Sequence, residues 1–325
     1  MLKKGLLLGI DTSNYTTSAA LCTTEGEVIL NLKRLLPVSE GERGLRQSDA
    51  LFAHTKNLPL IMGELGEFLK ENYPERNILA VGYSATPRDA EGSYMPCFLS
   101  GVSVASAIAA TLGCEKYAFS HQSGHVMAAV YSAGVTHLLE GDKPFAAFHV
   151  SGGTTEVLLI TPSKDGFSVE LIGGTMDMNA GQAIDRTGVL MGMRFPCGRE
   201  MESLLSGRDI PRQRTKTSVK GLECNLSGLE NLAKRLFEES GDKALTSAYC
   251  FDFVADTLYR LSDNLREIYP DIPIIYAGGV MSNKRIGARL AERAGTYFAA
   301  PELSADNAAG VALLCRRAYL KNEKV

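Results

Sequence analysis

The chain is 325 residues long, 45% hydrophobic and 22% charged, which is the balance of an ordinary soluble globular protein with length enough for two domains. Its formal net charge of −3 excludes a global attraction to nucleic acid, so an RNA partner requires a local basic patch. The seven cysteines (Cys22, Cys97, Cys114, Cys197, Cys224, Cys250 and Cys315) include no Cys-x-x-Cys pair, which argues against a zinc ribbon or disulfide framework and for reduced core thiols in a cytoplasmic protein.

The apolar opening stops at Asp11, too soon for a signal peptide and suited to a buried first strand. No later stretch approaches the roughly 20 apolar residues of a membrane span. Residues 6–21 give an apolar strand, a turn of small hydroxylated residues and a return strand, a β-hairpin pattern. Leu58 to Tyr73 is amphipathic, and the small-residue run from Gly101 to Leu112 predicts a helix packed closely on a sheet.

His121 and His125 follow in His-Gln-Ser-Gly-His, two of only five histidines. On a helix their spacing sets both rings on one face, able to grip one metal ion. Two hydrogen-bonded surface histidines are the alternative. His54 and His137 read as structural or exposed.

Ser132 to Pro144 reads as a connection between lobes. Residues 145–160 then repeat the hairpin design, and the tip His149-Val150-Ser151-Gly152-Gly153 offers backbone N–H groups and a hydroxyl able to surround a phosphate. Two such phrases suggest a duplicated α/β fold whose tips face a shared cleft. Helices are predicted over Ala180 to Met193 and over 247–268. The basic residues Arg208, Arg212, Arg214, Lys216 and Lys220 crowd one segment, either a flexible contact for RNA phosphates or a solvated loop. A buried strand, Ile272 to Tyr276, leads into Ala-Gly-Gly-Val-Met-Ser-Asn, where glycines allow close approach to a flat ligand and Asn283 can hydrogen-bond it. Asp306, in a short polar turn before an apolar helical run, is the best third metal ligand. Two histidines and a carboxylate suit Fe(II) or Zn(II) with positions left open.

In this order the motifs resemble those of the TsaD (Gcp/YgjD) family of tRNA threonylcarbamoyladenosine synthases, over essentially the whole length. Gly9-Ile-Asp-Thr-Ser13 resembles the family's Gly-Ile-Glu-Thr-Ser, His121-x-x-x-His125 its metal pair, and His149-Val-Ser-Gly-Gly153 its Leu-Val-Ser-Gly-Gly. Asp177-Met-Asn-Ala-Gly-Gln-Ala-Ile-Asp185 is similar to its Asp-Asp-Ala-Ala-Gly-Glu-Ala-Phe-Asp, Pro196-Cys-Gly198 to its Pro-Gly-Gly, and Ala277-Gly-Gly-Val-Met-Ser-Asn283 and Asp306-Asn-Ala-Ala complete the series.

The resemblance implies a two-lobed actin-like ATPase (RNase H-like) fold with duplicated domains around a nucleotide cleft. An N-terminal lobe would span 1–135, with 306–325 packing back on it, and a C-terminal lobe 143–305. It implies a metal, iron or zinc, on His121, His125 and Asp306. Threonylcarbamoyl-AMP or an adenine nucleotide would bind at His149, Val150, Ser151, Gly152, Gly153, Asp185, Gly198 and Asn283, with Asp11 and Asp177 as catalytic carboxylates. The implied reaction carries a threonylcarbamoyl group to N6 of the adenine beside the anticodon in tRNA. A smaller homologous subunit and an ATPase partner are implied, and no membrane.

The chain departs from the family at named points. Asn14-Tyr15-Thr16-Thr17 replaces Cys-Asp-Glu-Thr, Met178 and Gln182 replace acids, Thr154 replaces a His, and residues 85–92 replace a Gly-Pro-Gly-Leu loop. Such losses fit a divergent paralogue, either a carbamoyl transferase with another acceptor or a nucleotide-binding regulatory protein. Proteolysis is disfavoured, because Gln122 stands where a His-Glu-x-x-His protease carries its base.

Overall fold

The computed structural model describes residues 5–13, 15–37, 45–74, 77–164, 166–303 and 308–323. The first hairpin forms from β1 (Leu6–Ser13) and β2 (Thr16–Thr23), antiparallel from Leu6↔Thr23 to Ser13↔Thr16. β3 (Val28–Leu35) closes one edge, where alternating Lys33 and Leu35 are exposed and Lys33 and Arg34 blunt further pairing. Next come α1 (Gln47–Asn72), β4 (Ile78–Thr86), α2 (Phe98–Leu112), β5 (Glu115–Ser120) and α3 (His121–Ser132). β4 pairs parallel with β1 and β5 with β4, giving the order β3-β2-β1-β4-β5.

The second half opens with β6 (Phe145–Val150) and β7 (Thr155–Ser163), again an antiparallel hairpin, then β8 (Gly166–Thr175). It continues through α4 (Ala180–Leu190), α5 (Gly198–Ser203), β9 (Ser218–Lys220), β10 (Glu223–Asn225), α6 (Gly228–Ser240) and α7 (Lys243–Ile268). The chain ends with β11 (Ile274–Ala277), α8 (Lys284–Leu290), β12 (Thr296–Phe298) and α9 (Ala309–Asn322). Its sheet runs β12-β11-β6-β7-β8-β10-β9, so β8-β7-β6-β11-β12 reproduces the first sheet's order. That repetition is the structural form of the duplicated sequence phrase.

Two compact units result. One holds the chain up to Thr136 with Lys164–Val169 and α9; the other holds His137–Ser163 and Glu170–Ser304. β1 is buried on both faces, as its unbroken apolar run requires. Leu6, Leu8 and Ile10 meet Leu58, Ile61, Leu65 and Leu69 of α1 and Ala105 and Ala109 of α2. On the opposite face α9 lies so close that a Cβ at Gly9 would sit 2.4 Å from the Ala312 nitrogen. In the second unit Phe148, Val150 and Val157 pack with Ile184 of α4 and Phe251, Val254, Leu258 and Leu261 of α7.

Helix α1 starts at Gln47, well before Leu58, because Ala50, His54 and Leu58 extend its buried stripe. It tolerates Pro59 inside, at a cost of about 3 kcal/mol that its long packed face offsets. All seven cysteines are free, and Cys114 alone is not fully buried. No helix among the described residues is long and apolar enough to cross a membrane.

Candidate active site

In the first unit the site grows from the end of β1 and the start of α3. Ser120 caps α3, its hydroxyl accepting from the Ser123 N–H at 3.0 Å. The Ser120 and Ser123 hydroxyls both donate to Asp89 Oδ2, and the Gln122 N–H donates to Pro87 O at 3.0 Å. The helix start is thereby fixed from outside, which fixes where His121 and His125 point.

His121 Nδ1 lies 3.0 Å from Asp11 Oδ1, and Asp11 is fully buried. At that distance Nδ1–H donates to the carboxylate oxygen, so the tautomer inferred from the bonding leaves Nε2 with a lone pair. His121 Nε2 lies 2.9 Å from His125 Nε2, with the rings at 74°. Such a separation suits either one N–H···N bond or two nitrogens gripping one ion. The donor set fits a divalent cation, since two imidazoles converge and a buried carboxylate orients one from behind. Among the described residues no group of three or more His, Cys, Asp or Glu side chains is placed to hold an ion. Asp306 lies outside the described residues. Past it, Ala308 and Ala309 are buried, and at Gly310 a Cβ would stand 1.9 Å from the carbonyl oxygen of Gly124, between the two histidines in sequence. α9 therefore enters the fold directly against the histidine helix.

The surroundings of Asp11 are dry. Burial pushes the Cys97 thiol up to about 11, and the Asp11 charge adds to the rise. His54, fully buried in α1, bonds Thr17 Oγ1 through Nδ1 at 2.8 Å; burial lowers its pKa against the pull of the Ser13 backbone and Asp11. It is a core histidine, and its place in the buried stripe of α1 was its sequence signal.

The second unit has a candidate site of its own, made of backbone. The turn Ser151–Thr154 closes β6 onto β7 with a 2.7 Å bond from the Ser151 N–H to Thr154 O, and leaves Gly152 and Gly153 exposed. The start of α4 stacks on it: the Gly181 N–H donates to Ser151 O at 3.1 Å, and a Cβ at Gly181 would meet Gly152 Cα and N at 2.7 Å. From the other side Gly278, at φ +103°, comes so close that a Cβ would lie 2.2 Å from Val150 O. His149 pairs in register with Glu156 and with Ala277. Sequence reasoning missed Gly181; its signal was a glycine in the first turn of a helix that follows a glycine turn.

Asp185, one turn along α4, accepts the Cys197 N–H at 2.7 Å and so ties the segment before Gly198 and α5 to α4. Burial raises its pKa, and that bond draws it back. Asn283 Oδ1 caps α8 through the Ile286 N–H at 3.0 Å. Asp177 stands apart. Its carboxylate accepts from Met178 N–H, Leu226 N–H, Ser227 N–H and Ser227 Oγ, binding the α6 start to the end of β8. Burial opposes its ionisation, but those bonds outweigh burial and its pKa is lowered.

Residues 44–313 match the family profile described as TsaD, tRNA N6-adenosine threonylcarbamoyltransferase. The chain belongs to the TsaD family. A relative carrying that name in Streptococcus pneumoniae serotype 19F (strain G54) is 30% identical over 301 residues, 89% of this chain and 84% of its own length. Among solved structures, full-length HypF in its phosphate- and nucleotide-bound form superposes with a TM-score of 0.61 at 13% identity, over 99% of this chain and 56% of that one. The activator of the 2-hydroxyisocaproyl-CoA dehydratase from Clostridium difficile, with bound ADPNP, gives 0.52 at 13% identity, covering 98% and 97%. These likenesses show the fold, an α/β fold that the chain shares with both proteins.

Where the TsaD motifs are acidic, this chain has put other groups to internal use. Thr16, in place of the Glu, is buried, and its neighbour Thr17 serves both His54 and Asn57 through Oγ1, while Tyr15, in place of the Asp, is exposed. Met178 joins the second core, and Gln182 completes a capping box with Asn179. The segment replacing the TsaD Gly-Pro-Gly-Leu loop carries Pro87 and Asp89, the anchors of α3.

The basic segment is tethered. Arg285 donates to Ile210 O and Pro211 O, Gln213 N–H to Asp252 at 2.7 Å, Thr215 Oγ1 to Asp256 at 2.6 Å, and Arg260 to Thr217 O at 3.0 Å. Arg212 pairs with Asp256 and Glu292, and Arg208 with Asp242. Arg214, Lys216 and Lys220 alternate outward on the extended chain, and among the described residues none of them makes an ion pair.

Proposed function

We propose that this chain transfers a threonylcarbamoyl group from threonylcarbamoyl-AMP to N6 of the adenine adjacent to the anticodon in tRNA. The observation that carries the reading is the Asp11–His121–His125 array in a member of this family. In the transfer a bond forms from N6 to the carbamoyl carbon, the bond from that carbon to the phosphate oxygen breaks, AMP leaves with the electron pair, and N6 gives up one proton.

His121 and His125, with Asp306 as third ligand, would hold a divalent ion, iron or zinc. Bound there, such an ion polarises carbamoyl or carboxylate oxygens and stabilises their growing negative charge. Asp11 acts through His121, holding its Nδ1–H so that Nε2 faces His125 Nε2. Ala308 lies two residues from Asp306, within about 7 Å of chain, and α9 enters beside Gly124, which supports that ligand. For the donor phosphate, the exposed Gly152 and Gly153 and the N-terminus of α4 supply N–H groups and a favourable dipole. Asp185, Gly198 and Asn283 frame the same nucleotide subsite.

Acceptor tRNA would lay its phosphates along Arg214, Lys216 and Lys220, whose rigid backing lowers the ordering cost. A protein partner, a smaller homologous subunit or an ATPase, is supported by the large apolar side chains Phe52 and Leu60 of α1, 65% and 52% exposed. The test is incubation with threonylcarbamoyl-AMP and unmodified tRNA followed by mass spectrometry of the nucleosides. Threonylcarbamoyladenosine is the expected product. Unmodified tRNA from a chain that binds nucleotide tightly would replace this reading with a nucleotide-binding partner protein or a carbamoyl transferase with another acceptor.

A further inference from the structure

The segment between α4 and α5 is an unusual surface. Its underside is core: Met191, Met193 and Cys197 are 3%, 7% and 0% exposed. Its upper side is Arg194, Phe195 and Pro196, and Phe195 is 76% exposed. The segment is held along its length. The Gly192 N–H donates to Val189 O at 2.9 Å, the Met193 N–H to Gly188 O at 3.0 Å, and the Cys197 N–H to Asp185 at 2.7 Å. It sits so closely on α4 that a Cβ at Gly188 would fall 2.2 Å from Cys197 Cβ. The ring is therefore presented to solvent by a fixed support.

Arg194 and Arg199, both exposed, flank it, and among the described residues neither makes an ion pair. Of the nearby acids, Asp185 takes the Cys197 N–H and Glu202 the Lys284 N–H at 2.8 Å, leaving Glu200 on α5. A supported, exposed aromatic ring with exposed arginines one residue before it and four after it in the chain matches a partner that is flat, π-rich and negatively charged around its ring. An unpaired nucleobase with its phosphates has that chemistry. We propose that Phe195, with Arg194 and Arg199, is a stacking platform for an unpaired base of the acceptor RNA. The inference rests on the reading of tRNA as acceptor. The donor's adenine is the other base available; the two flanking cations and the high exposure of the ring favour a base that arrives with a strand.

The test uses the full-length chain and an anticodon-arm hairpin with 2-aminopurine in the loop, read by fluorescence quenching and by anisotropy, with AMP titrated separately. Phe195→Ala is expected to weaken RNA binding about 5- to 100-fold and to relieve quenching, with its salt dependence unchanged. Phe195→Trp is expected to restore both, and Phe195→Leu neither. Arg194→Gln with Arg199→Gln is expected to lower the salt slope by about 0.7 for each phosphate no longer neutralised. AMP affinity and melting temperature should stay at wild-type values throughout, since these side chains are exposed. Wild-type RNA affinity in Phe195→Ala, or weakened AMP binding in its place, overturns the platform alone. If the wild-type chain neither binds the hairpin nor modifies tRNA, the acceptor reading falls and takes the platform with it.

Discussion

The two units share one strand order and both begin with a hairpin, yet they fill the hairpin ends in opposite ways. At the end of β1 and β2 the side chains turn inward: Asp11, Thr12, Ser13, Thr16 and Thr17 are at most 4% exposed, and Asp11 bonds the His121 imidazole on α3. At the end of β6 and β7 the tip of the turn is two glycines, 152 and 153, and glycines at 181 and 278 let two further backbones close on it. A site built from side chains is broken by subtraction and one built from backbone by addition. A protein that duplicates one supersecondary unit can thus diverge in chemistry without changing topology.

The largest effect should come from subtraction in the first unit. His121→Ala is expected to abolish bound metal and reduce transfer to background, measured by elemental analysis and nucleoside mass spectrometry; full activity in a metal-free variant would contradict it. Asp11→Asn keeps the shape but removes the charge behind His121, and should cost about 10- to 100-fold in metal affinity or activity. Addition in the second unit should have the opposite signature. Gly181→Ala forces a methyl against Gly152, destabilising by about 1–3 kcal/mol and weakening AMP binding while metal content stays at the wild-type value. Loss of metal in this variant would erase the distinction between the units.

Two smaller effects sharpen the roles of outlying residues. Neutralising Arg214, Lys216 and Lys220 should flatten the salt dependence of tRNA binding by about 0.7–0.9 for each phosphate left without its cation. Asp177→Asn should cost about 1 kcal/mol of stability and leave transfer intact. Because hydrogen bonds lower the folded pKa of Asp177, its contribution is complete above the unfolded value near 3.9 and fades as pH falls through the lower folded value. Acid unfolding of Asp177→Asn should accordingly lose that component. If Asp177→Asn ends transfer at unchanged stability, the carboxylate is catalytic and not a cap.

Much of this is legible in the sequence because it is written in periodicity and spacing. The hairpins at 6–21 and 145–160 show as apolar runs around small polar turns, and the His-x-x-x-His pair gives its own geometry once α3 is helical. Less legible is what depends on close approach between distant segments. Nothing local in Gly181, Gly188, Gly278 or Gly310 says which distant segment each will touch, and nothing in Asp89 says that it will anchor the serines at the start of the helix bearing the histidines. The basic segment reads as mobile in sequence because its tethers, Asp252 and Asp256, lie on α7, far along the chain. Helix α1 reads short because Pro59 and a core histidine blur its first turns.

The central claim is that His121 and His125 share one divalent ion with Asp11 behind them. Cobalt(II) titration of the full chain, followed by visible absorption, addresses it most directly. One cobalt per chain with d–d bands that vanish in both His121→Ala and His125→Ala, and persist in Gly181→Ala, is the expected result. Equal cobalt spectra in the wild type and the two histidine variants would contradict the account.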